Sequence, residues 1–80
     1  MDGEDDRSAL RQELREVEAD VAELRDTAVS LRAQIGDRSS EPTDASERAA
    51  LITAAEEQEA LVETLEARRD KLRKLVEEQG

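Results

Sequence analysis

The chain has 80 residues, 22 of them acidic and 12 basic, for a formal net charge of -10 at pH 7; Cys, His, Phe, Tyr and Trp are absent. Without Cys or His there is no disulfide framework, no thiol nucleophile and no structural zinc site of the usual kind, and the best proton carrier near neutrality is missing. Without aromatic rings there is no platform for stacked bases, and the acidic balance repels phosphate, so no nucleic-acid partner is expected.

The 36% hydrophobic content is almost all aliphatic and stands beside 42% charged residues, with three Gly and one Pro. Such a makeup suits long helices or coiled coils. Intrinsically disordered chains share the high net charge and low hydropathy, and only the spacing of apolar residues separates the two cases.

The segment Met1-Asp2-Gly3-Glu4-Asp5-Asp6 is acidic where a signal peptide would be basic, and residues 1–6 are expected to form a short disordered acidic tail. No apolar run approaches the length that spans a bilayer, so a cytoplasmic protein with no membrane contact is expected.

A first helix is expected over residues 7–35. Leu10, Leu14, Val17, Val21, Leu24, Ala28, Leu31 and Ile35 recur in alternating steps of four and three. This is an unbroken heptad seam with no charge in it, Leu10 at d and Leu14 at a.

Residues 36–43 read as a turn. Gly36 is placed for a left-handed C-cap, and Asp37, Arg38, Ser39, Ser40, Glu41 and Pro42 are a cluster of helix-ending residues. Asp44 with Glu47 resembles a capping box, with Thr43 as an alternative cap.

A second helix is expected over residues 44–78, with Leu51, Ala55, Gln58, Val62, Leu65, Arg69, Leu72 and Val76 on the seam. Ala54, Leu61 and Leu75 lie beside it at g positions and widen the apolar stripe, as suits packing against more than one neighbour. Gln58 and Arg69 interrupt the seam, and single polar residues there commonly set register and oligomeric state. Arg69 is expected to lay its stem along the seam with its head near Glu13 or Asp20.

The two stripes are out of heptad phase, so one continuous helix cannot use both and the chain must turn back. An antiparallel register sets Ile35 on Leu51, Leu31 on Ala55, Leu24 on Val62, Val21 on Leu65, Leu14 on Leu72 and Leu10 on Val76, with Ala28 against Gln58 and Val17 against Arg69. A register one heptad away is the alternative. On the flanks, this register sets Arg25 by Glu59 and Asp20 by Arg68, which attract, and Glu18 by Glu66 and Arg11 by Arg73, which repel. Exposed pairs of this kind are worth about 0–1 kcal/mol each, so the seam decides the register.

The fold class read from the sequence is thus all-α, an antiparallel two-helix coiled-coil hairpin, with dimerisation into a four-helix bundle as its further option. An isolated hairpin leaves the g flank half wet, which points to a homodimer or a helical protein partner. The expected interaction surface is Ala54, Leu61, Leu75, Arg68 and Lys71, and the expected tip is Asp37, Glu41 and Asp44. The acidic run Glu56, Glu57, Glu59, Glu63 and Glu66, followed by the basic block Arg68, Arg69, Lys71, Arg73 and Lys74, reads as a solvated exterior or as a docking surface. Two helices offer no desolvated cleft to tune a carboxyl pair, so no enzyme, cofactor or small-molecule substrate is expected. Residues 37–47 lack the alternating oxygen ligands and central glycine of an EF-hand, and no metal is expected.

Leu10, Glu13-Leu14, Gly36-Asp37 at the tip and Glu56-Glu57-Gln58 early in the second helix give a pattern that resembles the N-terminal hairpin of Gre-type transcript cleavage factors. The resemblance implies an acidic-tipped hairpin that reaches the RNA polymerase active site, with Asp37 as the residue that helps hold a metal there. That family's Asn-Ala-Glu-Tyr type run after Gly-Asp, and its second domain, have no counterpart here. The leading expectation is a non-enzymatic adaptor or regulator acting by self-association or by docking on a partner helix. The transcription regulator is the second reading, and a segment that folds only on binding is the third.

Overall fold

The computed structural model describes the backbone of residues 2–38 and 44–79. They form two helices, α1 (Asp2–Arg38) and α2 (Ala45–Gln79), packed along most of their length as a rod of 63 × 14 × 13 Å. The helices run antiparallel: Arg7 near the start of α1 donates to the backbone carbonyl of Gln79 at the end of α2. That bond satisfies one of the carbonyls left without a partner at a helix C-terminus, an end that in α2 carries no basic residue of its own.

The heptad seams meet as the spacing predicts. Val17, Val21 and Leu72 form a buried cluster, with Leu10, Leu14 and Leu65 packed partly buried against it. This set is the one that the Val21–Leu65 and Leu14–Leu72 register brings together. Ala28, Ala55 and Val62 are also buried further towards the turn. Apart from Leu72, burial falls on small and β-branched seam residues, while Leu10, Leu14, Leu24, Leu31 and Leu65 stay half-buried. With one neighbouring helix, a long side chain is covered on the inner edge only.

The element boundaries differ from the sequence reading at four places, one being the start of α2 at Ala45, one residue later than expected. Residues 2–6, expected as a disordered tail, are the first turns of α1. Asp5 and Asp6 have the sign favoured by the positive end of the helix dipole. Gly36, expected as a left-handed cap, lies inside α1, which continues to Arg38, and no glycine among the described residues has a positive φ. One glycine costs a helix only about 1 kcal/mol, so intact hydrogen bonds on either side carry the helix through it. At the far end α2 extends one residue past its expected limit, to Gln79. Ser39, Ser40, Glu41, Pro42 and Thr43, the rest of the expected turn, lie outside the described residues.

Asp44 caps α2 as expected: its carboxylate accepts from the Ser46 amide at 3.0 Å, and its carbonyl accepts the first helical bond from the Arg48 amide at 3.1 Å. This is the geometry of an N-cap residue.

Two stability outcomes follow. Gly36→Ala is expected to stabilise the hairpin by about 1 kcal/mol, because an added Cβ meets no atom within 4 Å; thermal unfolding followed by circular dichroism reads the gain. Leu72→Ala empties the middle of the buried cluster and is expected to cost about 2–5 kcal/mol, enough to remove most of the cooperative transition of so small a domain.

Candidate functional site

The two flanks of the seam are chemically different. On the flank formed by e positions, three arginine–glutamate pairs cross between the helices: Glu18 with Arg73 at 2.8 Å, Arg32 with Glu59 at 2.7 Å, and Arg25 with Glu66. Arg32 is held in a two-pronged contact, its Nε donating to the other oxygen of Glu59 at 3.1 Å. On the opposite flank, formed by g positions, Arg68 with Glu13 is the cross-helix pair among the described residues. The rest of that flank on α2 is Glu47, Ala54, Leu61 and Leu75.

The partners differ by one heptad from those expected. Arg25 takes Glu66 instead of Glu59, Arg68 takes Glu13 instead of Asp20, and Glu18 meets Arg73 instead of Glu66. The anticipated repulsions of Glu18 with Glu66 and of Arg11 with Arg73 are therefore replaced by attractive contacts for Glu18 and Arg73. On the e flank the cause is side-chain direction. Helical side chains lean towards the N-terminus of their own helix, so in an antiparallel pair those of Arg25 and Glu66 converge, whereas those of Arg25 and Glu59 lean apart.

Arg69 also departs from expectation. Its guanidinium pairs with Asp70 at 3.0 Å and with Glu66 at 3.7 Å on its own helix. Glu13 is already held by Arg68, and the Arg69 stem lies largely covered, its side chain 17% exposed. Gln58, opposite Ala28 in the seam, has a buried Oε1 with no hydrogen-bond partner. An unsatisfied buried carbonyl carries a desolvation cost of about 1–3 kcal/mol.

The expected interaction residues are all on the surface, though unequally. Leu61 is 48% exposed, while Ala54 and Leu75 are half-buried. Lys71 is exposed, and so is Arg68, which is held by Glu13. At the turn end, Asp37 is exposed in the last part of α1, Asp44 serves as the cap of α2, and Glu41 lies outside the described residues. The sequence reading missed Val29, which is 68% exposed. It sits beside Ala28, Val62, Arg25, Glu59, Glu63 and Glu66 in a shallow groove on the ion-paired flank. Its signal was an apolar residue immediately after a seam position. A single exposed valine is ordinary on a protein surface.

Among the described residues no charged side chain is buried, and no group of acidic residues has an arrangement that could hold a metal ion. No helix among them is long and apolar enough to cross a membrane. In comparison with known proteins, the chain matches no family model, no curated protein and no solved structure.

The hydrogen bond from Arg32 lowers the pKa of Glu59 below the ordinary glutamate value of 4.5 and raises that of Arg32. Glu18 raises the pKa of Arg73 in the same way, chiefly by its hydrogen bond. A carboxyl group whose pKa is depressed by folding stabilises the fold fully above its unfolded value, and that contribution is lost as pH falls through the folded value. Glu59→Gln is therefore expected to lower the melting temperature at pH 7. The gap to the parent chain should close as pH falls below about 4, and a constant gap across that range would remove the ion pair as its cause. Gln58→Leu is expected to raise the melting temperature, since it removes an unsatisfied polar atom at little change in volume.

Proposed function

We propose that this chain is a small, non-enzymatic, cytoplasmic interaction module that works by self-association or by docking on a partner helix. The observation that carries the reading is the unequal treatment of the two flanks. One is closed by three cross-helix ion pairs, and the other leaves Leu61 half exposed between Ala54 and Leu75. A helix apolar on one stripe needs one neighbour; a wider stripe suits a second.

The surface area supports the same reading. The chain exposes 5828 Å², against about 4,800 Å² for a compact monomer of its mass by the usual scaling. The excess, roughly 1,000 Å², is close to the area that each partner loses in an ordinary protein–protein interface. The heptad pattern supports an all-helical partner, because a helix laid in the groove between α1 and α2 meets the side chains already at helical spacing.

Sedimentation equilibrium, read by interference because the chain lacks Trp and Tyr, tests the reading when combined with Leu61→Gln and Leu75→Gln. The double variant is expected to lose self-association or capture of a helical partner. Leu61→Gln alone, at the more exposed site, should do so while leaving the far-ultraviolet helix signal unchanged. Assembly that survives both substitutions rules out this flank as the contact.

A further inference from the structure

The outer face of α2 carries a charge order that is complementary to itself when read in the opposite direction. Glu57, Leu61, Thr64, Ala67 and Lys71 are exposed and follow one another along that face. Thr64 lies midway between Glu57 and Lys71 in the sequence. A two-fold axis through Thr64 therefore places Glu57 of one chain over Lys71 of the other, twice, and seats Leu61 on the partner's small Ala67. The two charges stand about 21 Å apart along the helix, at the rise of 1.5 Å per residue. Neither forms an ion pair within the chain, where the arginines take the cross-helix contacts.

We infer that two hairpins associate α2 to α2, antiparallel about Thr64, with paired Glu57–Lys71 contacts closing the seam around Leu61. This inference rests on the self-association branch of the proposed function and gives it a geometry. Such an interface is isologous and closes at two copies. The Thr64 hydroxyl donates to the Ala60 carbonyl at 3.1 Å, so its hydrogen is already used and its methyl group is left for the contact. The corresponding side of α1 carries exposed Glu16, Asp20 and Glu23, which repel their own copies and keep α1 away from the axis. A parallel pairing of α2 sets acidic half on acidic half and basic on basic. Only the antiparallel arrangement brings opposite signs together, and like charges placed across an interface also exclude wrong registers.

Charge exchange at the two positions tests the arrangement. Glu57→Lys and Lys71→Glu each set like charges together twice in the dimer, and each is expected to weaken association about tenfold, the effect of two exposed pairs changing sign. The double exchange, Glu57→Lys with Lys71→Glu, should restore it. Because the chain has no cysteine, Thr64→Cys supplies an independent measure: two copies meeting at the axis should form a disulfide dimer on mild oxidation. Asp26→Cys, on an exposed part of α1, should stay largely monomeric under the same oxidation. If the parent chain dimerises but the single exchanges do not weaken it, or if Asp26→Cys crosslinks as readily as Thr64→Cys, this arrangement is overturned and self-association stands. A parent chain that remains monomeric at all concentrations overturns both, leaving the docking of a partner helix.

Discussion

Everything in this molecule depends on a seam that is one side chain deep. Two helices share a single row of contacts, and there is no third element to cover their outer edges. Residues whose bulk lies close to the backbone, such as Val17, Val21, Ala28, Ala55 and Val62, are enclosed by that row. Longer leucines reach past it, so most of them remain half in water. Because apolar stabilisation scales with area removed from water, a hairpin of this kind holds its shape while keeping a substantial apolar area available for association.

The flanks then divide the work. On one side Arg25, Arg32 and Arg73 reach across to glutamates of the other helix and mark that side as finished. Exposed ion pairs add little net free energy; what they supply here is direction, since each pair is attractive only in the antiparallel arrangement that sets these residues together. On the other side Leu61 interrupts what would be a second row of charges. That leucine, flanked by Ala54 and Leu75, is the apolar feature on which the proposed association rests.

The interior polar positions of α2 follow a related logic. Gln58 leaves a buried oxygen unsatisfied, and Arg69 lies along the seam with its charge turned back to Asp70 and Glu66. Each lowers stability relative to an apolar residue at the same place. Gln58 also makes a slip by one heptad costly, because the slipped register would replace the small Ala28 opposite it by Val21 or Ile35. Polar residues at seam positions are known to act in this way on register.

Much of the hairpin was legible in the sequence. The alternating steps of four and three from Leu10 to Ile35, and again from Leu51 to Val76, predict which residues face inward, because a helix repeats its faces regardless of what it meets. The phase break between the two runs required a turn, and Asp44 announced the start of α2 through the side-chain chemistry of its carboxylate. The widened stripe of Ala54, Leu61 and Leu75 was likewise visible as pattern. Local chemistry was a poorer guide at Gly36 and in the acidic run near the N-terminus, where residues that favour coil in isolation are carried into α1 by the helix adjoining them.

What only the tertiary structure decided is which charge meets which. Level pairing across the seam assigns Glu18 to Glu66 and Arg25 to Glu59, yet the packed helices bring Glu18 to Arg73 and Arg25 to Glu66. The difference lies in the lean of each side chain along its own helix and in the length of the arginine stem, and neither has a direction until two axes are set side by side. Heptad spacing belongs to one helix at a time and is written in the sequence. The distinction between a closed flank and an open one belongs to the pair of helices, and it arises only when they are in contact.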